Sequence, residues 1–243
     1  MKLMLITGAN GQIGSYLAHA YRDQYELALL YHNRAERLGN FEPNMLFKVD
    51  LENTEQVSST IAHIAEQYKQ APAILIHCAA KRSADAMPLA NTEPDTFKDV
   101  FNSNFMGAYN ILRYTLSFMQ ENRFGRVVMF GSDVSRSGLP RGSAYAAAKA
   151  GIVNLVKSVA REMATYNVLL NAISPAPVDT ILEEDYQGEY LRFRQEYFAR
   201  HISNVPSGKL VSQVEIKRVV DLMISAEVEN MNGEEIFLTG GLQ

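Results

Sequence analysis

Short apolar runs and segments with helical spacing alternate along the whole chain, and this alternation is the strongest constraint on its fold. Helical spacing is clearest where apolar residues recur every three or four positions, as in Ala148, Ile152, Leu155, Val159 and Met163. Strands that alternate with helices form parallel βαβ units, whose right-handed crossovers place helices on both faces of a sheet. The strand-like runs are Leu3–Ile6, Glu26–Tyr31, Leu46–Val49, Ala73–His77, Arg126–Phe130, Val168–Ile173 and Glu235–Leu238.

The predicted fold class is therefore α/β: a Rossmann-type doubly wound parallel sheet of about seven strands with helices on both faces. No composition shift, linker or repeat divides residues 1–243. We therefore expect a single domain.

Composition and charge exclude several classes of protein. The net charge is −4 and no dense basic block is present, so no nucleic-acid partner is expected. The single cysteine, Cys78, excludes an internal disulfide, and its position at the end of an apolar strand suggests a buried, inert thiol. The five histidines lack metal-ligand spacing, so we expect no metal site. No segment resembles a signal sequence or approaches the ~20 apolar residues of a membrane span, which predicts a cytoplasmic protein without a membrane partner.

A glycine-rich turn lies between the first predicted strand and the helix Gln12 to Tyr21. Glycines at positions 8, 11 and 14 permit a tight turn and a close approach of the backbone to a pyrophosphate. The following helix N-terminus offers unpaired N–H groups to the same anion. The alternative is that the turn is purely structural. The position of the glycine turn between a strand and a helix favours nucleotide binding.

The end of the second predicted strand bears on the choice between NAD and NADP. An acidic residue at this place would accept a hydrogen bond from the ribose 2′-OH of NAD, whereas an arginine suits the 2′-phosphate of NADP. The segment reads Tyr31-His32-Asn33-Arg34, without a carboxylate until Glu36. NADP is therefore favoured over NAD, with Arg34 and its neighbours at the phosphate. Asp50, after the third strand, is a candidate partner for the adenine amino group or a cap for the next helix.

Ser132, Tyr145 and Lys149 have the spacing that carbonyl reduction requires. Tyr145 and Lys149 lie four positions apart, so on a helix both project from one face. A free phenol has a pKa near 10, which is too high for ready proton exchange at neutral pH. A nearby lysine cation favours the phenolate and lowers that pKa. Ser132, thirteen residues before Tyr145, would hold the carbonyl oxygen.

These motifs together resemble the short-chain dehydrogenase/reductase family. The resemblance rests on the glycine turn, Ser132, the run Tyr145-Ala-Ala-Ala-Lys149 and the segment Asn171-Ala-Ile-Ser-Pro175, and it extends to the closing residues 233–241. The Ser132–Tyr145 interval and the C-terminal half are similar to the short single-domain branch, as in β-ketoacyl-carrier-protein reductases. The glycine spacing and the sequence His77-Cys-Ala-Ala80 resemble the extended, epimerase-like branch, for which this chain is too short.

The resemblance implies a role for each matching residue. Tyr145 is the expected general acid/base, Lys149 also binds the nicotinamide ribose, Ser132 orients the substrate, and the backbone of Asn104 holds a water in the proton relay. Ala176 replaces the glycine that usually follows Ser-Pro in the family. The full set of expected cofactor contacts is Gly8, Asn10, Gln12, Ile13, Gly14, Asn33, Arg34, Asp50, Leu51, Ala79, Ala80, Tyr145, Lys149, Pro175 and Val178.

Residues 176–206 contain no obvious strand and are interpreted as a lid over the substrate. The segment follows a strand at its carboxyl end, where open α/β sheets bind ligands. The alternative is a solvated acidic helix pair on the surface. The tyrosines and phenylalanines of the segment suit an apolar or ring-bearing substrate, or else they pack the segment against the protein. Its six acidic residues disfavour the docking of an acidic carrier protein.

The sequence thus predicts an NADP(H)-dependent oxidoreductase that reduces a ketone to a secondary alcohol, or catalyses the reverse oxidation. One alternative is a non-catalytic NADP-binding sensor or scaffold, which the intact set Ser132, Tyr145 and Lys149 disfavours. Another is a nucleotide-sugar epimerase or dehydratase, which the chain length disfavours. Members of the family pair two long helices across a two-fold axis, here about Pro94–Glu121 and Ser143–Tyr166. The resemblance therefore implies a homotetramer, or failing that a dimer.

Overall fold

The strands of the computed structural model, which describes residues 1–82 and 86–242, form one parallel sheet. They are β1 (Leu3–Thr7), β2 (Glu26–Tyr31), β3 (Leu46–Lys48), β4 (Pro72–His77), β5 (Gly125–Phe130), β6 (Val168–Pro175) and β7 (Glu235–Leu238). Their spatial order is β3-β2-β1-β4-β5-β6-β7. The predicted doubly wound parallel sheet is confirmed.

Each central strand buries both of its faces, which explains why these runs are almost continuously apolar. In β1, Leu3 and Leu5 face one core, while Met4 and Ile6 face the other. Successive side chains of a strand point to opposite faces, so a strand with helices on both sides needs apolar residues at every position.

Helices cover the two faces of the sheet. The helices are α1 (Gln12–Tyr21), α2 (Thr54–Tyr68), α3 (Pro94–Asn122), α4 (Val134–Ser137), α5 (Ser143–Met163), α6 (Leu182–Asp185), α7 (Gly188–Asn204) and α8 (Gln213–Ile224). One core contains apolar residues of α2, α3 and α5, and the opposite core contains those of α1 and α8. Short helices α4 and α6, together with α7, lie near the carboxyl ends of the strands, where residues of each line a cavity described below.

Most predicted boundaries agree with the structure to within two residues, although α5 ends at Met163 rather than at about Tyr166. The third strand ends at Lys48, so Asp50 lies in the loop beyond it. There the Asp50 carboxylate accepts a hydrogen bond from the Glu52 amide. The cap of α2 is Asn53, whose side chain accepts from the Gln56 amide. The interpretation of Asp50 as the helix cap was therefore wrong.

The strand order reverses between β1 and β4, and the chains leaving these two strands diverge. At their ends, Thr7 Oγ1 and His77 Nδ1 share a buried hydrogen bond of 2.8 Å. Open α/β sheets bind ligands at such a switch point, because the diverging loops leave a crevice. This placement brings the glycine turn after β1 beside the segment 78–80 after β4.

Within residues 1–82 and 86–242, no helix is long and apolar enough to cross a membrane. The same residues contain no cluster of three or more histidine, cysteine or carboxylate side chains arranged to hold a metal ion.

His77 makes the stability of the fold depend on pH. Burial, with a contribution from the Lys149 cation, lowers the pKa of His77 from 6.5 to about 3. Below about pH 6.5, His77 is therefore protonated in the unfolded chain but stays neutral in the folded chain. Because only the unfolded state gains this proton, the free energy of unfolding falls as the pH falls from 6.5 towards 3. His77→Asn removes this titration and retains a polar group opposite Thr7. Between pH 7 and pH 5, we expect the wild-type protein to lose about 2 kcal/mol more stability than the variant.

Urea unfolding at the two pH values measures this difference. The stability of each protein at pH 7 is its own reference, so any direct cost of losing the imidazole cancels. Equal losses in the two proteins would show that His77 does not carry the effect.

Candidate active site

Two adjoining cavities lie at the carboxyl edge of the sheet. The larger, about 550 Å³, is lined by Ser132, Tyr145 and Lys149 and by side chains of α7. The smaller, about 460 Å³, lies beside the ends of β2 and β3. Gly8 and Gly11 line both cavities, so the glycine turn is their shared border.

The glycine turn is shaped so that side chains would not fit. Gly8 has a positive φ of 61°, and a Cβ there would lie 2.6 Å from the Cα of Ala79. A Cβ on Gly14 would lie 2.3 Å from the carbonyl oxygen of Gly8. The Gly11 amide donates to the same carbonyl over 2.9 Å, and α1 begins at the next residue. This compact turn presents the N-terminus of α1 to the cavities, as a pyrophosphate requires.

The predicted cofactor residues all line one or both cavities. The smaller cavity is bordered by Gly8, Asn10, Asn33, Arg34, Asp50, Leu51, Ala79 and Ala80. The larger is bordered by Gly8, Gln12, Ile13, Gly14, Arg34, Ala80, Tyr145, Lys149, Pro175 and Val178. The two cavities adjoin at the glycine turn, and the residues present fit an extended dinucleotide with its pyrophosphate at the turn.

Arg34 and Arg37 lie where the smaller cavity meets the segment 176–206. The Arg34 side chain is 59% exposed, and its Nη2 lies 3.8 Å from an Asp185 oxygen. Arg37, which the sequence analysis did not single out, is more buried and donates to Asp185 over 3.0 Å and to Glu184 over 2.7 Å. Arg34 therefore keeps much of its charge available to a ligand, whereas Arg37 anchors α6.

Gln12 connects the glycine turn to the same segment. Its amide nitrogen donates to the Ile181 carbonyl over 2.8 Å and to Asp185 over 2.9 Å, and its oxygen accepts from the Ile181 amide over 2.7 Å. Together with Arg37, these bonds hold the start of α6 against the turn. Residues 176–206 thereby form one wall of the larger cavity.

A short parallel bridge between Val178 and Val211 shapes the wall next to β6. The bridge uses the Pro177 carbonyl and the Asp179 amide, at 3.0 and 2.8 Å from their Val211 partners. The hydrogen bonds of this bridge do not use the Val178 amide. Val178 is one of the cofactor contacts expected from the sequence, and its place on the cavity lining is compatible with that role.

Ser132, Tyr145 and Lys149 meet because β5 and α5 pack side by side. Ser132 follows the end of β5, and its Oγ donates to Asp133 Oδ1 over 2.9 Å. The Lys149 ammonium is almost fully buried, donates to the Phe130 carbonyl over 2.6 Å and lies 5.7 Å from the centre of the Tyr145 ring. The helical spacing of Tyr145 and Lys149 thus places both side chains at the cavity.

The electrostatic surroundings favour the Tyr145 phenolate. Burial alone raises the pKa of Tyr145, but three cations, Arg82, Lys149 and Arg194, outweigh it, and the pKa falls below its usual 10. For Lys149, burial is the largest influence and lowers the pKa of the ammonium, as does Arg82, while Tyr145 opposes both. Arg82 is the cation with the largest effect on the phenol.

Asn104 is fully buried in α3, and its side chain holds the loop after β4. Its Oδ1 accepts from the Lys81 amide over 3.2 Å, and its Nδ2 donates to the carbonyls of Lys81 and Val100, both over 2.7 Å. Asn104 is not on the lining of either cavity. The family resemblance singled out its backbone, whereas the structure shows the side chain positioning residues beside the site.

Cys78 differs from the sequence interpretation. It is half-buried rather than buried, and it lines both cavities. Burial raises the pKa of its thiol to about 12, with the Lys149 cation acting in the opposite direction. The thiol is therefore protonated at neutral pH and is a weak nucleophile, although it borders the site.

Three residues of the larger cavity escaped the sequence analysis as site residues. Arg82 follows β4, and its guanidinium carbon lies 4.2 Å from the centre of the Tyr145 ring. Asp133 accepts from Ser132 and from the Val134 amide, and burial raises its pKa. Arg194 lies in α7. Its spacing from Tyr190, Tyr197 and Phe198 places all four on one helix face, a signal that was available in the sequence.

Comparison with known proteins identifies the family. The family model described as "Enoyl-(Acyl carrier protein) reductase" matches residues 8–243. The chain belongs to the short-chain dehydrogenase/reductase family. It is an oxidoreductase with an NAD(P)-binding Rossmann fold, as the sequence analysis predicted.

Individual relatives cover nearly the whole chain. The 3-oxoacyl-[acyl-carrier-protein] reductase MabA of Mycobacterium tuberculosis is 29% identical, and the alignment covers 98% of this chain and 92% of the relative. A short-chain dehydrogenase from Leptospira borgpetersenii with bound NAD⁺ is 25% identical, has a TM-score of 0.83, and the match covers 99% and 92% of the two chains. An NAD⁺-bound xylitol dehydrogenase has a TM-score of 0.85 at 23% identity, with 99% and 98% covered, and shows the fold alone.

The close contacts around Gly14 allow a direct test of whether the glycine turn binds the cofactor. In Gly14→Ala, the new methyl would collide with a backbone carbonyl that cannot move without distorting the turn. We expect a loss of about 1–3 kcal/mol of stability and at least ~10-fold weaker NADPH binding. Calorimetric titration with NADPH and thermal unfolding measure the two effects.

Gly39→Ala is the matched control, because its new methyl would meet only ordinary contact at 3.6 Å and the backbone there is helical. This variant should bind NADPH as the wild-type protein does. Unchanged NADPH affinity in Gly14→Ala would show that the cofactor does not approach this turn.

Proposed function

We propose that the protein is an NADP(H)-dependent reductase that converts a ketone into a secondary alcohol, or catalyses the reverse oxidation. The observation that carries the proposal is the meeting of Ser132, Tyr145 and Lys149 in a cavity that adjoins the glycine turn. The relative MabA, named as a 3-oxoacyl reductase, supports the direction of carbonyl reduction.

The cofactor residues proposed above would place the nicotinamide in the larger cavity, where it supplies a hydride for reduction or accepts one in oxidation. The Ser132 hydroxyl would donate a hydrogen bond to the substrate oxygen, exchanging its bond to Asp133 for one to the substrate. During reduction the carbonyl carbon gains the hydride and its oxygen gains the phenolic proton of Tyr145. During oxidation the phenolate takes that proton back.

Arg82 and Lys149 both assist this proton transfer, and Lys149 has a second role. Both cations lower the pKa of Tyr145. A phenol whose pKa lies closer to neutral pH exchanges its proton more efficiently under neutral conditions. Lys149 is held in place by its bond to the Phe130 carbonyl and is proposed to reach the nicotinamide ribose as well. Asn104 acts as a positioning residue through the loop that carries Arg82.

NADP preference is proposed from the charge at the end of β2. His32, Asn33 and Arg34 border the smaller cavity, and Arg34 is largely exposed. A guanidinium forms charge-assisted hydrogen bonds with a phosphate dianion, which NAD lacks at this position. Glu36, the nearest carboxylate along the chain, is engaged with Asn10, whose amide donates to it over 3.2 Å.

We also propose that the chain forms homotetramers through α3 and α5. Half-buried apolar side chains, among them Phe105, Phe118, Leu155 and Val159, remain on these two helices after the core is packed. Pairing of such faces across two-fold axes would bury them and closes naturally into a dimer or a tetramer.

Tyr145→Phe tests the catalytic proposal. Loss of the hydroxyl removes the proton donor, so we expect turnover of a ketone panel to fall by about 10²–10⁴-fold. NADPH affinity should change less than about 2-fold, because the ring and Lys149 remain. Tyr114→Phe, on α3 outside both cavities, is the control and should retain turnover. Substantial turnover by Tyr145→Phe would remove Tyr145 from the acid/base role.

Arg34→Ala tests the choice of cofactor. The loss of one charge-assisted bond to the 2′-phosphate should weaken NADPH binding by about 10-fold and leave NADH binding nearly unchanged. Calorimetric titration of the two cofactors measures both affinities. Lys48→Ala, which removes an exposed cation of β3 outside the cavities, should affect neither. Equal weakening of both cofactors by Arg34→Ala would place the selectivity elsewhere.

A further inference from the structure

Arg194 is a buried cation in the wall of the larger cavity. Its residue exposure is 5%, although it lies in the middle of α7, where most neighbouring charged residues are exposed. The guanidinium carbon lies 5.6 Å from the ring centre of Tyr186, 5.5 Å from that of Tyr197 and 5.0 Å from that of Phe198. Its Nε is buried and has no hydrogen-bond partner among the described residues.

A second guanidinium, that of Arg82, lines the same cavity. Arg82 stacks over the Tyr145 ring at 4.2 Å and is half-buried. Within the part of the chain that the structure describes, neither Arg82 nor Arg194 is at ion-pair distance from a carboxylate. The two arginines thus both add positive charge near the phenol, and each lowers the pKa of Tyr145.

Within residues 1–82 and 86–242, the other charged groups at this end of the cavity do not neutralise the arginines. Lys149 adds a third cation, already bonded to the Phe130 carbonyl. The Asp133 carboxylate is the opposing charge, and its Oδ1 already accepts from Ser132 and from the Val134 amide. Among the described residues, three cations and one carboxylate therefore act on the Tyr145 phenol.

Such an arrangement is costly unless an anion completes it. A cation removed from water loses most of its hydration energy, and contacts with aromatic faces return only a small part of it. The unpaired Nε adds the cost of an unsatisfied buried donor. A bound carboxylate would accept hydrogen bonds from this nitrogen and offset the charge of both guanidiniums.

We propose that Arg194 and Arg82 form a carboxylate-binding subsite, and that the substrate is a small oxo acid or hydroxy acid with a free carboxylate near its reacting carbon. This assignment rests on the proposed reductase function and specifies its substrate class. Arg82 touches the Tyr145 ring, so a carboxylate between the two arginines lies close to the oxygen that Tyr145 protonates. The reaction itself is unchanged: hydride to the carbonyl carbon, phenolic proton to its oxygen.

The outer and inner surfaces of the lid favour a small free acid over a carrier-bound thioester. Four glutamates on α6, α7 and the residues between them are exposed to solvent: Glu183, Glu184, Glu189 and Glu196. They would repel an acidic carrier protein, whereas the arginine faces inward. A thioester is also uncharged where the subsite offers two cations. A carboxylate has the single charge and two oxygens that two guanidiniums can pair, while a phosphate dianion demands more donors than this apolar wall supplies.

The test compares acids with neutral analogues. Wild-type protein saturated with NADP⁺ is titrated calorimetrically with short 2-hydroxy and 3-hydroxy acids, with their methyl esters and with a phosphorylated secondary alcohol. At least one acid should bind ~10-fold or more tightly than its ester. Arg194→Met, which keeps an unbranched apolar side chain in the wall, should bind acid and ester with similar affinity. The exposed Arg192→Met on the same helix is the control and should retain the wild-type preference.

Turnover of the corresponding oxo acids and oxo esters provides the second readout. Arg194→Met should lower kcat/KM for the acid by ~10-fold or more beyond any loss for the ester, which lacks the carboxylate but still depends on the Arg194 effect on the Tyr145 pKa. A wild-type protein that binds no acid, prefers the esters or prefers the phosphorylated alcohol would overturn the carboxylate subsite, as would an unchanged preference in Arg194→Met.

These outcomes are separable from failure of the reductase proposal. Ester turnover that is abolished by Tyr145→Phe would uphold the reductase while the subsite failed. Acid binding that depends on Arg194, in a protein that reduces no carbonyl compound, would uphold the subsite while the reductase failed.

Discussion

The close approach of the chain after β1 to the chain after β4 is the constraint on which the site depends. Gly8 lies so near Ala79 that no side chain fits between them, and Thr7 is bonded to His77 directly beneath. This contact forms at the point where the strand order reverses. It brings the glycine turn to the same edge as Ser132, Tyr145 and Lys149, which come from elements more than a hundred residues further along the chain.

The region around Tyr145 shows how a buried site can favour a charged form. Burial opposes ionisation of the phenol, and a single lysine is not the main opposing influence, since Arg82 acts on it more strongly. Lys149 is itself disfavoured as a cation by burial and is held by the Phe130 carbonyl. The phenol is therefore tuned by a group of cations, two of which come from a loop and a helix outside the Ser–Tyr–Lys motif.

The segment 176–206 has two functions that its composition alone does not separate. Its first part joins the glycine turn through Gln12 and Arg37, so the acidic residues Glu184 and Asp185 are structural partners of cations. Its second part, α7, turns aromatic side chains and Arg194 towards the cavity and leaves other charges in water. The segment is acidic on average, but the face of α7 that lines the cavity carries the cation Arg194. Helical periodicity places the side chains of α7 on opposite surfaces, so the overall charge does not show this.

The sequence by itself determined the α/β class, the strand and helix positions, the glycine turn and the pairing of Tyr145 with Lys149. These features depend on local periodicity, on the conformations that glycine allows and on a spacing of one helical turn. Only the tertiary structure decided that Asn104 is buried, that Cys78 borders the cavities and that Arg82 and Arg194 line the same cavity as the phenol. Those placements depend on how distant elements pack. Burial and charge proximity at Arg82, Tyr145 and Arg194 arise between segments that share no local pattern, so a reading of neighbouring residues could not reveal them.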